Sequence, residues 1–278
     1  MYYFTPKPIL LMQSSLCLNC QANLSQKNNF CANCGQKVNI HRISLHEILH
    51  DLLHYFTHAD TGIFFVLKQL IKQPGIVVKE YISGKRKKYI SPVTLLLISA
   101  GILYVAFHVF NLSEINTSNL AKPETFAFKT EHQKQLYTVT YERAIKLNNF
   151  FANYSKLGTM VAVPLIALLF WLFFIKARLN FAEHVVALMF FTALTTLTYS
   201  FVFAPISYFL GSKKAYLILP GIYMLFETSY KAWGYYQLLG YNSKKNAFKT
   251  FSYSLLVSIF WAVISAGLGF LYVGGFFG

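Results

Sequence analysis

Charge is scarce in this chain, and negative charge scarcest. Asp and Glu number 10 among 278 residues, and charged residues of both signs make up 13%, about half the share of roughly 25% usual in soluble domains. A soluble globule of this size would need more charge on its surface. A disordered chain is excluded too, because that class needs low hydrophobicity and high charge. Cysteine is nearly absent, with four in all, every one between Cys17 and Cys34. There is no P-loop, helix-turn-helix or RNP-like pattern. No apolar run has the strict alternation of a membrane β-strand. At the N-terminus, Met1 to Leu16 lacks the long apolar core of a signal peptide, its approach being broken by Pro6 and Pro8. It reads as a leader, with Met12 as an alternative start.

Apolar surface is abundant instead. Hydrophobic residues make up 55% and aromatics 18%, with 27 Phe and 19 Tyr, and mean hydropathy is +0.42. Five apolar runs stand near Pro92–Phe110, Leu157–Ile175, Val185–Leu210, Ala215–Leu239 and Phe251–Phe277. Each has the roughly 17–25 residues that span a bilayer as a helix. The expected fold is all-α: a polytopic helical membrane protein of about five transmembrane helices with a small N-terminal four-cysteine zinc ribbon. Its divisions are a leader (1–16), the ribbon (17–40), interfacial amphipathic helices with a basic cluster (41–91), and a transmembrane domain (92–278) with an extracytoplasmic segment at 111–156. The stretch Phe64–Leu70 is too short and too charged to span, and reads as interfacial or re-entrant.

The formal net charge of +15 follows the positive-inside pattern rather than a nucleic-acid footprint. Lys and Arg number 11 in the first 91 residues, and most others fall in short gaps between apolar runs. Five spans with a cytoplasmic N-terminus put 16 basic residues inside and 8 outside, with Lys231 in a span. The expected location is the inner (cytoplasmic) membrane. Membrane lipids are the expected partners, with Lys85, Arg86, Lys87 and Lys88 on anionic headgroups. An unidentified cytoplasmic protein completes the list, and nucleic acid is not expected.

Cys17-x-x-Cys20 and Cys31-x-x-Cys34 form two paired-thiolate knuckles ten residues apart. Two such pairs supply the four ligands of a closed tetrahedral Zn²⁺ site. A piece this short has no core of its own, so the metal would supply its folding energy. Gly35 stands where a left-handed turn is often needed. A redox pair would need a surrounding βαβ pattern, which is missing. Disulfides are disfavoured in the cytoplasm, and an iron–sulfur cluster is the remaining alternative.

His46, His50, His54 and His58 recur every four residues, and any adjacent pair on a helix can bind a second metal ion. His46-Glu47-Ile48-Leu49-His50 also matches H-E-x-x-H, the zinc-and-base motif of a metalloprotease. No third ligand stands out, and the row equally fills the polar face opposite Leu45, Ile48, Leu49, Leu52, Leu53 and Phe56. In the fourth run, Glu227 and Lys231 stand at i, i+4 in the favourable order. Ionisable groups at that depth are functional candidates. The plainer account is a self-neutralising pair near the inner interface, with Lys231 snorkelling beside an aromatic belt of Tyr230, Trp233, Tyr235 and Tyr236. His108 and His184 are expected at interfaces.

A cysteine ribbon ending Phe30-Cys31-Ala32-Asn33-Cys34-Gly35-Gln36 leads to a His-bearing helix ending Phe56-Thr57-His58-Ala59-Asp60. Pro74-Gly75 follows, then Lys79-Glu80-Tyr81-Ile82-Ser83-Gly84-Lys85-Arg86, Tyr89 and Pro92. Over Cys17 to Leu97 this order resembles the bacterial inner-membrane proteins grouped as domain of unknown function 3667. The resemblance implies a multi-span membrane protein with a cytosolic zinc ribbon and no assigned activity. The H-E-x-x-H form is not that family's signature.

Three functions follow as expectations. The first is a non-enzymatic docking or scaffold protein built on the zinc ribbon. The second is a transporter or lipid-handling protein centred on Glu227 and Lys231. The third, least favoured, is a metalloprotease at His46, Glu47 and His50.

Overall fold

The computed structural model describes residues 16–24, 29–38, 42–46, 48, 62–112, 121–177, 179–210 and 213–274, without the side chains of 151, 152, 155–157 and 213–217. Two short helices come first, α1 (Ile63–Lys72) and α2 (Pro74–Ile82). Then follow α3 (Pro92–Val109), α4 (Glu131–Phe173), α5 (Phe181–Thr198), the short α6 (Ala204–Leu210), α7 (Lys213–Leu238) and α8 (Lys244–Val273). Among the described residues there is no β-strand, only the isolated bridges Leu16↔Asn23 and Phe30↔Lys37.

Local chemistry sets where these helices begin. Pro74 and Pro92 occupy first-turn positions of α2 and α3, where a missing N–H costs nothing. Thr130 caps α4 through Gln133 N, and Ser243 caps α8 through Asn246 N. α5 starts with a reciprocal capping box: Glu183 N donates to Asn180 Oδ1, and Asn180 N donates to Glu183 Oε2, both at 2.8 Å. Gly84 and Gly240 take positive φ just past α2 and α7, the usual way a helix is stopped.

Among the described residues, the stretches Arg86–Val109, Phe181–Leu210 and Lys244–Val273 are long and apolar enough to cross a membrane. The apolar part of α4, Gly158–Phe173, is shorter. α4 is nonetheless continuous with the expected outer segment from Glu131 onward, and carries non-helical backbone at Tyr154. Between α5 and α6 the chain widens into a π turn, Tyr199–Phe203, just before Pro205. Pro205 has no N–H and its ring crowds the carbonyl four residues back, so the extra residue makes room without ending the helix.

The core lies at one end of the bundle. α1 buries Val66 and Leu70, and α2 buries Val77, Val78 and Tyr81, all in the cluster formed by α3, α4, α5 and α7. The segment expected to be interfacial is therefore half embedded, with Phe64 and Ile71 left exposed. Gly75 explains how α2 comes so close. A Cβ there would lie 2.3 Å from Gly234 O and 2.4 Å from Leu238 N. Gly75 N also donates to Gln237 Oε1 at 3.0 Å. Gly234 in turn leaves room for the Phe191 ring. Beside this crossing, Phe170, Tyr235 and Phe174 stack nearly parallel, with centroids 4.5 and 5.2 Å apart.

Two expectations fail here. Tyr230 and Tyr235 are no aromatic belt: both rings are buried, and Tyr230 donates its hydroxyl to Leu70 O at 3.0 Å. A helix that is apolar all round gives no sequence sign of which aromatic faces protein and which faces lipid. His184 is not at a wet interface either. It is fully buried at the start of α5, with Nδ1 3.0 Å from the Tyr235 hydroxyl. His108 is exposed near the end of α3.

Candidate functional site

The N-terminal site is built from one local pattern used twice, fourteen residues apart. Cys17 N donates to Ala22 O at 2.8 Å, and Cys31 N donates to Gln36 O at the same distance. Gln21 N returns to Cys17 O, and Gly35 N to Cys31 O, both at 2.9 Å. Each loop closes on a residue with positive φ, +61° at Gln21 and +69° at Gly35. Gly35 adopts that conformation freely. Gln21 holds it at a cost of about 1–2 kcal/mol.

The two loops bring all four sulfurs within 4.8 Å of one another. Cys17 Sγ lies 3.6 Å from Cys34 Sγ, and Cys20 Sγ lies 3.7 Å from Cys31 Sγ. A tetrahedron with metal–thiolate bonds of about 2.3 Å has edges of about 3.8 Å. The four thiols are free rather than bridged, and their spacing fits a bound metal ion. The Ala22 backbone and the Asn33 side chain hold the Cys20 thiol down to about 6, while burial pushes Cys34 up to about 11. Metal binding selects the thiolate at each sulfur and releases its proton.

The ribbon is bonded to the turn that precedes α3. Gln36 is buried, and its Oε1 accepts from Lys87 N at 2.9 Å. Beyond the ribbon, Arg42 forms a two-pronged ion pair with Glu183, 2.8 Å on each prong. Asn180 Nδ2 donates to Ile43 O at 3.1 Å, and Ile43 is buried in the main core. So the residues that cap α5 also hold the segment around Arg42 and Ile43, a strap between ribbon and bundle.

The basic cluster Lys85–Lys88 sits at this junction. Lys85 Nζ and Lys88 Nζ lie 2.9 and 2.6 Å from the two oxygens of Glu80, and Tyr89 donates to Glu80 at 2.5 Å. Partial burial works to raise the Glu80 carboxyl, but the bonds from Lys88, Tyr89 and Lys85 outweigh it and hold it down to about 2. Both lysine side chains stay partly exposed. Of the histidine row, His46 is exposed at the start of a helical turn. Glu47, His50, His54 and His58 lie outside the described residues.

A second site lies within the bundle. α3, α4, α5, α7 and α8 line a half-open cavity of about 440 Å³. Glu227 and Lys231 form part of its wall, with Lys231 Nζ 2.6 Å from Glu227 Oε1. The Lys231 side chain is 5% exposed, so it does not snorkel to a surface. Tyr199 at the π turn and Tyr223 also line the space. Their rings meet edge to face at 5.0 Å. Thr228 donates to Ser258 at 2.8 Å, joining α7 to α8 beside it.

Sequence reasoning found the four cysteines and the Glu227–Lys231 pair. It missed Gln36, Arg42, Glu183 and Glu80. Asn180-x-x-Glu183 was legible as a capping box, but nothing in the sequence joins Arg42 to it across 141 positions.

The model of a family described as Protein of unknown function (DUF3667) matches residues 60–104. That span holds Pro74-Gly75, Glu80, and the Gly84-Lys85-Arg86 block through Tyr89 and Pro92, so the resemblance is borne out there. These are the residues that seat α2 on α7, build the Glu80 junction and start α3. No curated protein and no solved structure matches the chain.

Proposed function

We propose that this is a multi-pass protein of the inner membrane, with five spans and a cytoplasmic N-terminus, whose structural zinc ribbon is a fixed docking platform. The observation that carries the reading is the fastening of the ribbon to the bundle end where α3, α5 and α8 begin. Zinc supplies the ribbon with folding energy through a closed site of four thiolates. The bonds at Gln36 and Arg42 then hold its outer surface in one orientation, which suits a platform better than catalysis. Leu16, Leu18 and Phe30 are exposed on that surface, Phe30 by 59%. A crosslinker placed at Phe30 in intact cells should give one discrete protein adduct, lost in Cys17→Ser/Cys31→Ser. Absence of any adduct would overturn docking. A cysteine at Lys134 should react with an impermeant maleimide from outside the cell, and one at Ser243 only after permeabilisation. The reverse pattern would overturn the orientation.

A second reading draws on the cavity: transport or lipid handling centred on Glu227 and Lys231. A polar site near mid-depth, enclosed by several helices, is what such a role requires. Glu227→Gln should abolish that activity while leaving the ribbon and its docking intact. The metalloprotease reading draws no support from the exposed His46.

A further inference from the structure

The cavity's size, about 440 Å³, falls within the range of about 300–1,000 Å³ typical of small-molecule sites. It is also deep. At 1.5 Å per residue, Glu227 lies about 20 Å from the start of α7 and about 16 Å from its end. Charge at that depth is costly and calls for partners.

Lys231 is buried with hydrogen-bonding capacity to spare. Its ammonium carries three donors. One reaches Glu227 Oε1, and no other acceptor among the described residues takes the remaining two. Glu227 is 25% exposed, and its Oε2 has no partner among the described residues. Buried ion pairs that serve structure alone have their spare donors and acceptors satisfied by neighbours. Here the spare positions, two donors and one carboxylate oxygen, belong to residues of a cavity wall that is otherwise largely apolar.

The charge balance then selects the ligand. A monoanion bound to Lys231 would leave Glu227 as an odd negative charge in a low-dielectric space. A monocation on Glu227 would leave Lys231 as an odd positive one. Either arrangement costs an uncompensated buried charge. A zwitterion meets both groups and keeps the site neutral. We propose that the cavity binds a small zwitterion with an apolar body, of the α-amino-acid class. The ligand carboxylate sits on Lys231, its ammonium on Glu227, and its apolar part among Leu103, Phe107, Ile166 and Trp261. This deepens the second reading above, and binding is measured apart from movement so that the two fail separately.

The test is equilibrium binding of radiolabelled L-phenylalanine and L-leucine to the full-length protein in lipid nanodiscs. At least one should bind saturably at one site per chain, with Kd below about 1 mM. The lone amine 2-phenylethylamine and the lone acid 3-phenylpropionate should compete at least about tenfold more weakly. The paired change Glu227→Gln/Lys231→Met removes both charges together, which buried pairs tolerate, and should cost at least about tenfold in affinity. Thr196→Leu, which fills the cavity and leaves the pair alone, should weaken binding as well. Absence of saturable binding, equal competition by the amine or the acid, or full binding by both variants overturns the proposal. Binding without uptake into vesicles overturns only transport.

Discussion

Gly75 is the residue where the fold leaves least room. Its missing Cβ would meet backbone atoms of Gly234 and Leu238 inside 2.5 Å, and backbone cannot swing away as a side chain can. Gly75→Ala should therefore destabilise by about 1–3 kcal/mol or more, seen as a lower apparent melting temperature in detergent. Gly101→Ala is the control, since nothing lies within 4 Å of that position. Alanine there should be neutral or stabilising by up to about 1 kcal/mol. Glu80 makes a pH prediction. Its carboxyl is held down to about 2 from an ordinary 4.5, so its contribution is complete above about pH 4.5 and disappears as pH falls through about 2. The stability gap between wild type and Glu80→Gln should be constant above that window and close within it. A gap unchanged at pH 2 would remove Glu80 from the junction. In the sequence, Pro74-Gly75 and Gly84-Lys85-Arg86 stood out as parts of the resembling motif order, and Lys85–Lys88 as a basic cluster. The motifs were legible because each is local in sequence. The close approach and the carboxylate network were not, because their partners come from another element or across a turn.

At the scale of elements, the capped start of α5 joins the strap to the bundle. Glu183 is almost fully buried and Arg42 half exposed, so the cost of losing Arg42 falls on the carboxylate. Arg42→Met should destabilise by about 1–3 kcal/mol, the cost of an under-satisfied buried acceptor. Asn180 and Glu183 still cap the helix in that variant, so α5 should survive while the strap around Ile43 becomes open to protease. Equal protease resistance in wild type and variant would contradict the fastening. The long apolar stretches were legible from hydropathy. Which face of each helix meets protein was not. α7 shows why: Tyr230, Trp233 and Tyr235 look alike in sequence, yet only Trp233 is substantially exposed.

For the molecule as a whole, the ribbon was the most legible part, since four thiols at that spacing have few uses. Its fusion to the helices was hidden, because Gln36–Lys87 and Arg42–Glu183 each link segments far apart in sequence. The cavity was hidden for the same reason: five separate helices form its walls. Under the proposed function the metal is the keystone of the N-terminal end. Ribbon and strap should lose order together when it is removed, while the capping box keeps α5 intact. The most direct test is elemental analysis of the purified, detergent-solubilised protein beside Cys17→Ser/Cys31→Ser. One zinc per chain, lost in the variant together with protease resistance around residues 16–43, is the predicted result. Absence of zinc from the wild type, or zinc retained by the variant, would contradict the account.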